Sequence, residues 1–462
     1  MSGALFQLVA YGVEDLILTH EPEGTYFKSV YKRHTSCTIE SIPQNFIGKV
    51  DFGRRLSCII SKQADLVSKM YIEVTLPKVE FDVNNNIIYA WVKNIGYKLI
   101  KNVNIEIGGQ IIDKHYSDWL YIWNELTCEI DKKDGLDHMI GNIPENYDFN
   151  LHIQKDINSY VCYIPLNFWF SRSPNLALPL CSLKYHEIKI NIEFEELENC
   201  LLQADVSLAD GITNATYFQV SENTYISGVK NLSSLPALKA HLYVDFIFLD
   251  EKEKKMFIQK EHEYCIEQVQ YNEDAVFLGD FSNLQLNFNH PVKELIWVFQ
   301  YDKNIELKNF FNYTNTADSM KIDITLNNNV KTIVFSKNIV EESGQNPVDK
   351  VNLFLNGTER FAQQTGGYTN LIQQYNHHTN ISLNGINCYS FSIYPENVQP
   401  SGTCNFSMID DSILENSLKS YFYNEGDGVQ TIDSGTGIVR IYAINYNILK
   451  IMGGMGGIMF SN

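Results

Sequence analysis

The stretch LNFWFSRSPNLALPLCSLKYHEIKINIEF, from Leu166 to Phe194, carries the pattern that decides the fold. Its last part, Ile188 to Phe194, alternates apolar and polar residues. A period of two is typical of a β-strand with one buried face. The aromatic run Phe168, Trp169 and Phe170 predicts a second strand, and residues 173–180 between them predict a loop. No reactive group stands out in this stretch, so we expect it to have a structural role and not a catalytic one.

The bulk composition points to a large soluble protein with β-structure. A length of 462 residues favours two domains. An aromatic share of 13% leans toward strands, because flat rings pack well on pleated surfaces. The net charge of −19 repels phosphate backbones, so we expect no direct binding of nucleic acid.

The cysteines and the N-terminus indicate a cytosol-like environment. The nine cysteines include no C-x-x-C pair, which predicts free thiols in a reducing compartment. The first residues lack a basic region before their apolar run, so we expect no signal peptide. No window supplies the roughly 18 uninterrupted apolar residues of a membrane span.

Two segments predict tight hairpins of the same kind. NVNIEIGGQIID places Gly108 and Gly109 between two apolar strands, and KVNLFLNGTERF places Asn356 and Gly357 in the same position. Both pairs tolerate the positive φ angles of a two-residue type I′ turn. We therefore expect these four residues to be structural turn positions.

The hairpins belong to a longer duplication. ADLVSKMYIEV matches HPVKELIWVFQ before each hairpin, and HLYVDFIFLD matches VRIYAINYNILKI as the closing strand. YIPLNFWF with YHEIKINIEF has a shorter counterpart in YSFSIYPENVQPSGTCNFSMID. Four pairs in one order predict two β-sandwich domains of similar topology.

The domain limits follow from the repeat. The charged segment EKEKKMFIQKEHE, residues 251–263, contains neither Pro nor Gly and predicts a short helical connector. We therefore place the first sandwich at 26–250 and the second at 264–451. Residues 1–25 form an N-terminal arm, and the glycine- and methionine-rich residues 452–462 form a C-terminal arm.

No set of side chains predicts catalysis, a cofactor or a metal. His377 and His378 are adjacent, so on an extended chain they point apart, which favours a polar loop over a metal site. Asp113, His115 and Asp118 lack a nearby nucleophile motif and favour a hydrogen-bonded strand end.

An acidic run is the remaining candidate for chemistry. Glu193 and Glu195 share a strand face but have no substrate-binding residues around them, which favours a solvated strand edge over a glycosidase pair. We therefore expect a protein that is not an enzyme.

The chain resembles the major capsid proteins of the nucleocytoplasmic large DNA viruses, the double jelly-roll family. The resemblance rests on motifs that run from FQLVAYGVEDLILTHEPEGTYFKSVYKRHT to the final FSN, among them IEIGGQIIDKH, FWFSRSPNLALPLCSLKYHEIKI, LNFNHPVKELIWV and NYNILKIMGGMGG. It implies an all-β fold of two consecutive eight-stranded jelly-roll β-sandwiches. It also implies a structural protein of the virion whose homotrimers form pseudo-hexagonal capsomers that tile an icosahedral shell.

The resemblance further implies partners and a place of assembly. Neighbouring capsomers, minor capsid proteins and penton proteins are the expected partners, with an internal membrane nearby but not entered. Synthesis and assembly are expected in the host cytoplasm. The N-terminal arm is expected to dock at the capsomer base through Leu5, Phe6, Leu8 and Val9; the alternative for these residues is packing over the first sandwich. The alternatives are a minor double jelly-roll capsid component and a jelly-roll carbohydrate-binding protein.

Overall fold

Two sets of eight strands form the framework of the protein. The computed structural model describes residues 36–82, 87–153, 155–205, 216–217, 226–279, 281–317, 319–327, 330–338, 344–425, 428–432 and 435–461. The first set is β1 Cys37–Asn45, β2 Arg55–Ile59, β3 Leu66–Leu76, β4 Ile100–Ile107, β5 Gln110–Tyr116, β6 Tyr160–Leu166, β7 Ile188–Phe194 and β8 Lys239–Leu249. The second set is β9 His262–Leu278, β10 Phe281–Gln285, β11 Pro291–Tyr301, β12 Val348–Leu355, β13 Thr358–Thr365, β14 Asn387–Ser390, β15 Ser412–Leu418 and β16 Thr436–Met452.

The two sets have the same sheet topology. In the first, one sheet has the order β1-β8-β3-β6 and the other β2-β7-β4-β5. In the second, the orders are β9-β16-β11-β14 and β10-β15-β12-β13. Each strand thus has its counterpart eight strands later, with antiparallel pairing throughout. This is the arrangement of a jelly roll, and the predicted fold of two such sandwiches is confirmed.

Helices and short strands fill the connections between the sixteen strands. The α-helices are α1 Ile95–Leu99, α2 Ser117–Thr127, α3 Ile130–Ile140, α4 Pro144–Tyr147, α5 Trp169–Arg172, α6 Glu251–Gln259, α7 Asp302–Glu306 and α8 Gln373–His377, the last preceded by a π-helical turn at Tyr368–Ile372. The 3₁₀ turns are Phe149–His152, Pro174–Leu176, Leu180–Ser182, Leu197–Asn199 and Phe406–Met408. The additional strands are Ile87–Trp91, Leu178–Pro179, Leu201–Asp205, Thr216–Tyr217, Ile226–Gly228, Thr316–Ala317, Ser319–Asn327, Val330–Asn338, Cys404–Asn405, Tyr421–Glu425, Gly428–Ile432 and Met455–Ile458. Within these described ranges, no helix is both long and apolar enough to cross a membrane.

Strand β11 shows why some strands are apolar on both faces. Successive side chains of a strand point to opposite faces of the sheet. Trp297 packs in the core of its own sandwich, whereas Ile296 and Val298 belong to a cluster shared with the first sandwich. The main hydrophobic core therefore continues across the junction between the two sandwiches.

The connector between the sandwiches is helical, as the charged segment predicts. Helix α6 covers residues 251–259, and its N-terminus is capped by the side chain of Asp250, which accepts a hydrogen bond of 2.8 Å from the backbone of Glu251. Strand β9 begins only three residues after the helix ends, at His262. The connector is accordingly short.

The prediction of a strand at Phe168–Phe170 is wrong. Strand β6 ends at Leu166, Phe168 is the N-cap of helix α5, and Trp169 and Phe170 lie in its turn. A strand would send Trp169 to the face opposite its two neighbours; in the observed helical turn all three rings are at most 1% exposed. The helical turn allows this complete burial.

Most of the predicted C-terminal arm folds back onto the second sandwich. Gly453 and Gly454, with φ of 61° and 84°, form a turn after β16, and Met455–Ile458 pairs back onto that strand. The backbone N–H of Tyr185 donates to the carbonyl of Gly454 at 2.9 Å. The C-terminal hairpin thereby fastens the second sandwich to the first.

Candidate functional site: the junction between the two sandwiches

Helix α2 of the first sandwich supplies the apolar part of the junction. Trp119 packs against Tyr442 with ring centroids 5.3 Å apart, and Tyr121 stacks on Phe311 at 4.6 Å. The helix is apolar on most of its circumference because it is covered on several sides. Side chains far apart in the sequence thus join the two domains.

Asp118, at the start of the same helix, forms an ion pair across the junction. Its carboxylate lies 2.9 Å from Nη1 of Arg440 and accepts a hydrogen bond of 3.1 Å from the hydroxyl of Tyr313. Burial alone would lower the pKa of Arg440, but Asp118 and the other acidic groups around it outweigh burial and raise that pKa. The guanidinium is therefore a permanent charge at the junction.

Asp113 and His115 form a separate buried pair. They are two residues apart on β5 and so share a face, with His115 Nε2 2.9 Å from Asp113 Oδ2. The other carboxylate oxygen accepts a hydrogen bond of 3.0 Å from the backbone of Val269 in the second sandwich. The His115 ring stacks on Phe168 at 4.7 Å. Asp118, which the sequence grouped with this pair, instead contacts Arg440.

A three-charge cluster lies deeper in the junction. Glu267 on β9 accepts from Lys293 Nζ at 2.6 Å through one oxygen and from Arg172 through the other. Arg172 ends helix α5 and lies over the ring of Trp123 at 4.4 Å. Burial lowers the pKa of Arg172 to about 10, and burial together with Arg172 lowers the pKa of Lys293. One carboxylate thus holds two cations, one from each sandwich, out of water.

A second polar cluster surrounds His378, which lies in a loop after α8, as predicted, but has a buried side chain. The His378 side chain has no exposed surface, and its Nε2 lies 2.6 Å from Glu294 Oε1. Its Nδ1 lies 3.0 Å from Glu396 Oε1, and the thiol of Cys388 is close by. Burial alone lowers the pKa of His378, but the Glu294 charge and the hydrogen bonds outweigh it and raise the pKa well above 6.5. His377 remains at the surface side, bonded to the carbonyl of Ile393.

The sequence held one signal for both clusters. Lys293 and Glu294 are adjacent charges in the otherwise apolar strand VKELIWVFQ, and each has no exposed surface. Buried charges of this kind are normally paired. Their partners could not be named, because these partners come from other elements of the chain.

The acidic strand end at Glu193 and Glu195 divides into two environments. Glu193 pairs with Lys101 at 2.8 Å at the surface. Glu195 has only 12% of its side chain exposed and lies 3.3 Å from Lys98, so the prediction of a solvated edge is wrong for it. Each carboxylate is matched to its own lysine.

The turn residues have the backbone that the type I′ geometry requires. Gly108 and Gly109 have φ of 58° and 90°, and Asn356 and Gly357 have φ of 50° and 72°. The side chain of Asn356 also accepts hydrogen bonds of 3.0 Å from two backbone N–H groups, at residues 410 and 411. The arm residues Leu5, Phe6, Leu8 and Val9 lie outside the described residues.

Comparisons with known proteins agree with this architecture. Residues 25–250 match the family described as major capsid protein N-terminus, and residues 253–457 match the family described as large eukaryotic DNA virus major capsid protein. The major capsid proteins of Phaeocystis pouchetii virus and of Paramecium bursaria Chlorella virus 1 are 37% and 33% identical to the chain. In each case the alignment covers 100% of this chain and 100% of the relative.

Solved structures show the same similarity. The chain in a quasi-atomic model of the PBCV-1 virus capsid is 30% identical, with a TM-score of 0.73 over 95% of this chain and 100% of that one. The Faustovirus major capsid protein, at 14% identity and a TM-score of 0.68 over 96% of this chain and 94% of that one, shares the fold. The duplicated sandwich, the buried junction and these similarities over the full length place the chain in the family of large eukaryotic DNA virus major capsid proteins, as a structural component of the virion capsid.

Proposed function

We propose that three copies of the chain form a capsomer of approximate six-fold symmetry and that such capsomers tile the shell. The observation that carries this proposal is the repeated strand order, in which every strand of the first sandwich recurs in the second. Two similar units in each of three subunits provide six similar edges for neighbour contacts. The buried charges and rings of the junction support the proposal, because tiling requires the two sandwiches to keep one orientation.

An exposed apolar surface on the second sandwich is our candidate for the contact between subunits. Leu371, Ile372 and Tyr375 project from the π-helical turn and α8, and Tyr375 is 76% exposed. Ile393 and Tyr394 follow on a loop that is bonded to the end of α8, and each is 60% exposed. Clustered exposed apolar side chains of this kind mark interaction sites. We assign a second copy of the chain as the occupant, since the proposed trimer requires a contact between identical subunits.

The proposed capsomer has further partners. We propose that the N-terminal arm docks to minor capsid proteins at the capsomer base and that penton proteins contact the capsomers at the vertices. The net charge of −19 supports a shell that does not bind the genome directly. We also propose that the shell lies near an internal membrane without entering it. We propose synthesis and assembly in the host cytoplasm, and a role without catalysis.

Light scattering on the purified full-length chain tests the trimer. We expect a species of three times the chain mass, which the substitution Tyr375→Glu shifts to the monomer because a carboxylate is desolvated at the contact. Ile130→Glu is the matched control: Ile130 is 73% exposed at the start of α3, where an acidic residue is favourable, and the trimer should persist.

The outcomes separate the two parts of the proposal. A wild-type chain that remains monomeric at all concentrations contradicts the trimer. A trimer that is equally stable in Tyr375→Glu contradicts the assigned surface but leaves the trimer standing.

A further inference from the structure

The cluster around His378 has the composition of a metal site. Glu294, His378 and Cys388 each offer one ligand atom, and the three atoms lie within 4.8 Å of one another. Glu294 and Cys388 are on the neighbouring strands β11 and β14, where Glu294 pairs with Ser390 and Ile296 with Cys388. Residues two positions apart on a strand share a face, so both side chains face the same side of the sheet, where His378 follows helix α8.

We propose that Glu294, His378 and Cys388 bind a single divalent transition-metal ion of the Zn²⁺ type. Imidazole nitrogen, thiolate sulfur and carboxylate oxygen are the three ligand classes that Zn²⁺ uses in proteins. Hard cations such as Mg²⁺ and Ca²⁺ prefer all-oxygen sites, so a site with sulfur and nitrogen disfavours them. Three protein ligands leave a fourth tetrahedral position for water or another small ligand.

The surroundings of the cluster independently suit a metal. A histidine that ligates a metal commonly donates its other ring nitrogen to a carboxylate, which fixes the ring. Glu396 occupies that position, 3.0 Å from His378 Nδ1, and is itself held by the backbone N–H of Thr379 at 2.8 Å. The second oxygen of Glu294 is buried and, among the described residues, lacks a hydrogen-bond partner. An unpartnered buried carboxylate oxygen is costly unless it binds a cation.

The exchange of protons for metal leaves the charge of the site unchanged. Without metal, both ring nitrogens of His378 face carboxylate oxygens, Nε2 that of Glu294 and Nδ1 that of Glu396. An ionised carboxylate can only accept a hydrogen bond, so we infer a proton on each ring nitrogen and on the thiol of Cys388. The metal takes the place of the proton on His378 Nε2 and of the thiol proton, and both protons pass to solvent. Nδ1 keeps its proton and still donates to Glu396. Two positive charges enter and two leave, so burial of the ion adds no net charge to the interior.

The metal would also restrain the segment that carries part of the exposed surface formed by Leu371, Ile372, Tyr375, Ile393 and Tyr394. The metal would join two strands of one sheet to the end of α8, which carries Tyr375. This inference concerns the interior of one chain and stands whether or not that surface is the contact between subunits.

Cobalt binding to the full-length chain tests the site. The protein is produced in metal-depleted medium with and without Co²⁺, and Co²⁺ is also added to the chelator-treated chain. We expect a single Co²⁺ per chain, a near-ultraviolet thiolate-to-cobalt absorption band and release of both protons in weakly buffered solution. Cys388→Ala should abolish the band, and Glu294→Gln should lower the cobalt affinity by at least tenfold.

Cys58→Ala is the matched control, since Cys58 is also fully buried but lies in the first sandwich. This variant should keep both the cobalt and the band. Absence of the thiolate band in the wild-type chain under every loading condition overturns the proposal, and this measurement does not depend on the folding of any variant. A band that persists in Cys388→Ala overturns it as well.

Discussion

Replacing Glu267 with Gln removes the only charge that balances Lys293 and Arg172 within their three-residue cluster. The substitution keeps the shape of the side chain but leaves two buried cations, with exposed side-chain fractions of 0% for Lys293 and 13% for Arg172. Lys293 retains one strong acceptor, the carbonyl of Pro395 at 2.5 Å. We expect a large loss of stability because an uncompensated buried charge is costly.

The geometry sets the size of this loss. Unit charges 2.6 Å apart, the distance from Lys293 Nζ to Glu267 Oε1, attract each other by about 6 kcal/mol at an effective dielectric constant of about 20. The remaining acceptor and local relaxation reduce this value, and broken buried pairs typically cost about 3–5 kcal/mol. For a sandwich of this size, that loss corresponds to a decrease in Tm of roughly 6–20 °C.

Urea unfolding is the assay, with the change taken from the transition midpoint at unchanged slope. Glu263→Gln is the matched control: Glu263 lies on the same strand in an exposed pair with Lys450, and its loss should cost less than about 1 kcal/mol. The double variant Glu267→Gln/Lys293→Met should recover much of the stability, because it removes both members of the buried pair. If Glu267→Gln costs no more than the control, the cluster is solvated and the reasoning about the junction fails.

Two further predictions concern a turn and a titration. Gly357→Val should destabilise the chain by about 1–3 kcal/mol, because a β-branched residue is strained at φ of 72° even though no atom lies within 4 Å of the added Cβ. Gly135→Val is the control and should be close to neutral, because Gly135 lies in an open position of α3 without positive φ. Equal unfolding midpoints in urea for the two variants would contradict the turn assignment. His378 should stabilise the metal-free chain most below pH 6.5 and progressively less as the pH rises through its raised folded-state pKa, because a raised pKa means that the folded state holds the proton more tightly. The check is the difference in unfolding free energy between the wild type and His378→Gln, measured in chelator from acid to alkaline pH; a difference that grows with pH would refute the assigned charge.

Local patterns were sufficient where the structure depends on neighbouring residues. The alternation in 188–194, the glycine and asparagine pairs of the hairpins and the charged connector at 251–263 are local features. The structure has a strand at the first, turns with positive φ at the second and a helix over residues 251–259 of the third. The repeated order of these patterns also predicted two sandwiches of one topology. Such periodicity can be recognised in a sequence because the polar positions of an element are those that face water.

The remaining features depend on contacts between distant parts of the chain. Phe168, Trp169 and Phe170 have the composition of a strand, but in the folded chain they lie in a helical turn with all three rings buried, and no local pattern distinguishes this turn from a buried strand. Two adjacent histidines gave no indication that one of them enters a buried pocket with Glu294 and Cys388. The charges of Lys293 and Glu294 within an apolar strand indicated buried, paired side chains, but the sequence did not show which residues they pair with.

The sequence by itself therefore determined the fold class, the duplication and the hairpin turns of this protein, because each depends on the type and spacing of residues that are close in the sequence. Only the tertiary structure decided how the two sandwiches are joined and which charges are paired inside them. Arg172 and Glu267 are 95 residues apart in the chain, yet they share one salt bridge. Such a pair forms only when separate elements pack and exclude water, and no local pattern in the chain specifies which elements will meet.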